Sequence, residues 1–161
     1  MVNELTLSVF GEEALNKRYT LSRILSILNN ANLINIGELA ERAVANKAKT
    51  TQVARCNQGF DLANGWEIKH GQSNPQKDSN QRVAYIAGFK NKTTDLRTII
   101  TETLTGKLYF FKIPYSYYSK VRAQSIAFQF FSNGTPSRIR RHSSCYNAWD
   151  YEVESFEELC G

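Results

Sequence analysis

The spacing of apolar side chains changes period near residue 50, and this change constrains the fold more than any other feature of the chain. Before it, apolar residues recur at helical intervals; after it, they alternate or run in short β-branched stretches. Within 12–29, Leu15, Leu21, Ile24, Leu25, Ile27 and Leu28 fall at helix-like spacing, and Asn29-Asn30 supplies a stop. Residues 36–48 predict a second helix, with Ile36, Leu39, Ala40, Ala43 and Val44 on its apolar face and Asn35 available as N-cap. A helical hairpin therefore opens the fold.

Strand signals fill the remainder. Gly59–Ala63 reads as extended, Asn64-Gly65 is a strong hairpin turn signal, and Trp66–Lys69 alternates, so these two segments are expected to pair antiparallel. Residues 71–80 are polar and rich in breakers, which predicts a loop, and Val83–Ala87 is a further strand. Arg97–Thr103 and Leu108–Ile113 form a second hairpin about Thr105-Gly106, ended by Pro114. Tyr115–Gln124 predicts a short helix, and Ser125–Phe131 with Arg138–Arg140 a third hairpin about Asn133-Gly134. Trp149–Val153 reads as a strand, and Ser155-x-x-Glu158 as a capped helical turn.

A chain of 161 residues with 42% apolar composition suits one domain spanning 1–161. No apolar run approaches the roughly 18–20 residues that cross a bilayer, and Met1-Val2-Asn3-Glu4 lacks the basic flank and apolar core of a signal peptide. A soluble, cytoplasmic protein with no membrane partner is expected. Cys56, Cys145 and Cys160 are odd in number and widely spaced, which favours reduced thiols over a disulfide framework or zinc knuckle.

The net charge of +5 understates how basic most of the chain is, because residues 150–161 hold five carboxylates and no Lys or Arg. That leaves 20 basic against 10 acidic residues over 1–149. Between Glu41 and Asp61 the charged residues are Arg42, Lys47, Lys49 and Arg55; between Glu102 and Asp150 they are Lys107, Lys112, Lys120, Arg122, Arg138, Arg140 and Arg141. A polyanion is the natural partner of such stretches, since phosphate contacts release condensed counterions.

The chemistry concentrates in Phe60–His70. Alternation puts Glu67 and Lys69 on one strand face and Trp66, Ile68 and His70 on the other, while the Asn64-Gly65 turn folds Asp61 back toward them. Two carboxylates so close repel unless a divalent cation sits between them, and hard oxygen donors suit Mg²⁺. Such a site fits phosphodiester hydrolysis: the cation activates water and neutralises developing charge, while Lys69 positions the attacking water or helps deprotonate it. Glu38 and Glu41 lie three residues apart on the preceding helix and are candidates to complete the site. His70 is either structural or a phosphate contact.

Asp61 and Glu67-Ile68-Lys69, preceded by an acidic helix, resemble the PD-(D/E)xK nuclease superfamily, which includes restriction enzymes, homing endonucleases and junction resolvases. Phe60 stands where the motif has proline. The resemblance spans about 36–113, between an N-terminal helical segment (1–35) and a basic hairpin region with an acidic tail (114–161). It implies an α+β fold of the restriction-endonuclease type, a central mixed β-sheet flanked by helices with additional hairpins. It also implies Mg²⁺ dependence and DNA cleavage, with Asp61 and Glu67 as metal ligands and Lys69 catalytic. Double-strand scission by so small a chain implies a homodimer on duplex DNA.

For DNA contact, Gln72, Ser73, Asn74, Gln76 and Lys77 follow the catalytic strand directly, and Lys120, Arg122, Arg138, Arg140 and Arg141 supply cations. The neighbouring Tyr115, Tyr117 and Tyr118 suit groove insertion or core packing of a short helix. With only His70 and His142, the chain disfavours a histidine-based or zinc nuclease, and it has no G-x-x-x-x-G-K-[ST] loop. A binding module without catalysis is the rival reading, and a nuclease of junctions or repair a third.

Overall fold

The computed structural model describes residues 28–53, 60–77, 79–89, 92–121, 125–138 and 148–161. Of the first predicted helix only its end lies within them: Leu28–Asn30 is helical and a turn follows, as the two asparagines predict. The second forms as α1 (Ile36–Ala48), where Asn35 Oδ1 accepts the Glu38 N–H at 3.1 Å, a cap worth about 1 kcal/mol. Asn29 reaches forward to accept the Ile36 N–H at 2.9 Å, tying the two helices together. Ile36, Ala40, Val44 and Ala45 are the buried face, whereas Leu39 and Ala43 of the predicted stripe face solvent.

The strands are β1 (Glu67–Gln72), β2 (Asn74–Pro75), β3 (Gln81–Ala87), β4 (Leu96–Thr101), β5 (Leu108–Ile113), β6 (Ser125–Phe131) and β7 (Glu152–Val153). One sheet has the order β1-β4-β5-β7, parallel at β1/β4 and antiparallel elsewhere, so it is mixed. The other is antiparallel, in the order β2-β3-β6. Short helices α2 (Tyr115–Tyr118) and α3 (Phe156–Leu159) complete the α+β architecture. α2 starts at Pro114 as predicted but lasts one turn, and Tyr117 and Tyr118 are buried, so those two tyrosines serve the core.

The alternation of β4 and β5 builds both cores. Leu96, Ile100, Phe111 and Ile113 face the second sheet and meet Ala84, Ile86, Phe128 and Phe130, with Trp149 edge-on to Phe111 at 5.1 Å. Ile99 and Phe110 face the other way, onto α1 and α3, together with Ile68 and Leu159. The mixed sheet is thus sandwiched between helices and a second sheet, and β1 is its edge.

Two strand expectations need correction. Residues 60–63 do not pair with β1, and Gly59 lies outside the described residues: Leu62 makes an isolated bridge to Gln52, and β1 instead runs parallel to β4. The turn itself closes, with Gly65 N–H donating to Leu62 O at 2.9 Å and Gly65 at φ +88°. A two-residue hairpin of the Asn-Gly kind needs positive φ at both positions. Among the described non-glycine residues only Asn32 and Lys49 have it, so Asn64 does not and the chain diverges after the turn.

The second correction concerns 71–80, which holds strand as well as turn. β1 continues to Gln72 because Gly71 lets the backbones of β1 and β3 approach closely; a Cβ there would lie 2.7 Å from the Tyr85 carbonyl oxygen. The β4/β5 hairpin and β3 form as predicted, and the Asn133-Gly134 turn bends the chain after β6 so that Pro136 bridges Phe130. At the C-terminus Trp149 lies in a 3₁₀ turn (Ala148–Tyr151) before the brief β7. Ser155 caps α3, its Oγ accepting the Glu158 N–H at 3.0 Å, while the Glu158 carboxylate reaches one residue past the cap to accept the Glu154 N–H at 2.9 Å.

Candidate active site at the edge of the mixed sheet

Glu67 and Lys69 project from the same face of β1, as alternation requires, and meet at 2.8 Å from Glu67 Oε1 to Lys69 Nζ. Ile68 points oppositely into the core beneath α1, which fixes the strand's rotation. Asp61 enters from the turn: its Oδ2 accepts the Ile68 N–H at 2.7 Å, placing the carboxylate against the backbone between Glu67 and Lys69. The three residues predicted to converge do so. Glu67 is only 1% exposed, a degree of burial an ionised carboxylate tolerates only with close counter-charges.

The second counter-charge is one that sequence reasoning missed. Lys92 Nζ lies 2.9 Å from Glu67 Oε2, so the carboxylate carries an ammonium on each oxygen. Lys92 sits between β3 and β4, 25 residues from Glu67 in sequence, and no local pattern marks it. The Lys92 backbone N–H donates to Phe89 O at 3.0 Å. Gly88 lies close as well, since a Cβ there would come within 3.7 Å of Lys69 Nζ.

Asp61 titrates higher than an ordinary aspartate. Burial is the main cause and the Glu67 carboxylate adds to it, against the Ile68 N–H, Lys69 and Lys92, which pull the other way. The cluster thus pairs two carboxylates with two ammoniums.

Neither upstream glutamate joins it. The Glu41 carboxylate accepts the Gln52 amide at 3.2 Å, and the same amide also reaches the Glu38 backbone carbonyl, at 3.4 Å. Among the described residues no group of three or more His, Cys, Asp or Glu is arranged to hold a metal ion, so Asp61 and Glu67 are the acidic pair.

His70 is anchored in the fold and also borders the open groove that Lys69 lines. Its Nε2 is 2.9 Å from Thr101 Oγ1, and burial pushes its pKa down to about 4. A histidine held neutral by the fold contributes stability that is complete above pH 6.5 and is lost as pH falls from there toward 4, because the unfolded chain takes up the proton first. Urea titrations of the parent and a His70→Gln variant should diverge across that window, the parent losing on the order of 3 kcal/mol more than the variant. Equal pH profiles would overturn the assignment.

The residues offered for DNA contact separate. Gln72 and Asn74 line an open groove of about 410 Å³ along the free edge of β1, shared with Lys69, Asn29, Asn35 and Tyr85. Lys77 and Lys120 are exposed and Gln76 is half-buried.

Ser73 is a correction: it is fully buried, donating to Glu102 at 2.7 Å and accepting the Thr103 N–H at 3.0 Å, out of reach of any ligand. Arg138 is exposed and already paired within the chain: its Nε and Nη2 each donate to Glu152 at 3.0 Å, and its guanidinium caps Trp149. Lys47 similarly faces Glu157 of the acidic tail, at 3.5 Å. Arg122, Arg140 and Arg141 lie outside the described residues, as do Cys56 and Cys145. Among the described residues no helix is long and apolar enough to cross a membrane.

No family model and no curated protein matches the sequence. Among solved structures, a bacterial homing endonuclease, I-Ssp6803I, is similar with a TM-score of 0.41 and 13% identity, over 72% of this chain and 83% of that one.

Proposed function

We propose that this chain is a Mg²⁺-dependent DNA endonuclease whose active site is Asp61, Glu67 and Lys69. The observation that supports it is the convergence of a turn aspartate and a strand Glu-x-Lys pair on a half-open sheet edge, with the glutamate almost wholly withdrawn from water. Burying a charge at such cost is more typical of a working site than of a surface ion pair.

The donor set fits the cation. Mg²⁺ is commonly held by one or two carboxylates and keeps several waters. Asp61 commits one oxygen to Ile68, and Glu67 Oε2 accepts no aligned hydrogen bond, the Lys92 contact being an ion pair. Asp61 and Glu67 would hold the ion, which when bound supplies an activated water and charge neutralisation at phosphate.

The chain's own residues do the rest. The Ile68 N–H fixes the Asp61 carboxylate, and Ile68 packed under α1 keeps β1 from rotating. Lys69, anchored on Glu67 and partly exposed at the groove, presents a cation to the scissile phosphate and the water attacking it. Gln72 and Asn74 stand along the same groove, where amide groups meet base edges or the sugar-phosphate backbone. One such site cuts one strand, so double-strand scission requires two copies about a twofold axis.

The test is nicking of supercoiled plasmid by the purified chain. Cleavage is expected with Mg²⁺, lost on chelation and restored by excess Mg²⁺. Binding of duplex DNA without nicking under any divalent cation would instead establish a binding module.

A further inference from the structure

We infer that Lys92 is a built-in counter-ion of Glu67 that competes with the divalent cation for the Oε2 atom. This rests on the nuclease reading of the same site, and it concerns a residue outside the Asp-Glu-x-Lys pattern. Glu67 is 1% exposed and faces Lys69 on Oε1 at 2.8 Å and Lys92 on Oε2 at 2.9 Å, while the Lys92 side chain is 21% exposed. A carboxylate this deeply buried needs compensation whether or not a cation is bound. Lys69 projects from β1 itself, next to Ile68 packed in the core beneath α1. Lys92 arrives from the segment between β3 and β4 on a flexible four-carbon stem, partly open to solvent.

Oε2 has no aligned hydrogen bond and meets the Lys92 ammonium as an ion pair at 2.9 Å. Lys92 therefore stabilises the cation-free protein and weakens cation binding by the same interaction, as linkage requires.

The experiment measures Mn²⁺ binding by calorimetry and thermal unfolding with and without Mn²⁺, on the full chain, for the parent, Lys92→Met, Lys92→Arg and Glu67→Gln. Lys92→Met keeps the stem and removes the charge. It should bind Mn²⁺ about tenfold more tightly than the parent, melt at lower temperature without the ion, and gain more from its addition. Lys92→Arg retains a competitor and should bind no more tightly than the parent.

If Lys92→Met is unfolded without the ion, Mn²⁺ should refold it, and failure to do so overturns the inference. Parent-like or weaker Mn²⁺ affinity in folded Lys92→Met likewise overturns the inference while leaving the nuclease reading intact. No Mn²⁺ binding by the parent, or undiminished binding by Glu67→Gln, overturns both.

Discussion

Lys69→Met is expected to slow Mg²⁺-dependent plasmid nicking by about 10²–10³-fold, the usual loss when one preorganised charge at a reacting phosphate is removed. Duplex affinity should change by no more than about threefold, because a single phosphate contact among many contributes little to the total. Methionine preserves the buried part of the stem along β1, and Glu67 retains the Lys92 ammonium at 2.9 Å, so the fold survives. The loss should appear in the single-turnover rate constant rather than in the DNA concentration for half-saturation. Lys69→Arg keeps the charge but spreads it over a planar group, so partial activity is expected. Nicking by Lys69→Met within threefold of the parent would remove the residue from the chemistry and, with it, the main support for the site.

Glu102→Gln is expected to cost about 3–5 kcal/mol of stability, the penalty for leaving one member of a buried ion pair without its partner. Glu102 is fully buried and binds Arg82 Nε at 2.6 Å, Ser73 Oγ at 2.7 Å and the Thr105 N–H at 2.7 Å. Arg82 continues to Thr103 Oγ1 at 2.7 Å, which ties β3 of the second sheet to the end of β4 in the first. The glutamine keeps the shape but strands the guanidinium, and the melting temperature should fall by roughly 2–4 °C per kcal/mol for a chain of this size.

The pH dependence has a definite sign. Burial alone would raise the Glu102 pKa, but hydrogen bonds from Ser73, the Thr105 N–H and Arg82 outweigh it and hold the group below its ordinary value. Its contribution is therefore present above the unfolded carboxylate pKa and lost as pH falls through the lower folded one. Combining Glu102→Leu with Arg82→Met should cost much less than the two single changes added together, because neither leaves a buried charge behind. Additive losses would show that Arg82 and Glu102 do not act as a pair.

Much of the site was legible from local pattern. The period-2 alternation of a strand puts Glu67 and Lys69 on one face whatever that strand pairs with, and a turn at Gly65 returns Asp61 to the same end. The pairing of β1 was not legible. A parallel partner 29 residues downstream leaves no mark in either strand, whereas a hairpin signal lies in two adjacent residues and can close its turn without zipping strands. Polarity misled at Ser73, because a hydroxyl serves a loop surface and a buried carboxylate equally well, and burial decides which. At Arg138, likewise, a cation in the sequence gives no sign that Glu152 will come to meet it.

The amino-acid order by itself determined what depends on neighbours a few residues apart: the capped helix 36–48, the β4/β5 hairpin, the Ser155 cap and the shared face of Glu67 and Lys69. Tertiary structure alone decided what depends on distance. It made β1 the edge of a mixed sheet, left both upstream glutamates outside the acidic pair, joined the sheets through Arg82 and Glu102, and brought Lys92 to Glu67. The physical reason is that hydrogen-bonded turns and side-chain periodicity are set by local backbone geometry. A buried charge instead takes its partner from whatever the packed chain carries past it, at any separation in sequence.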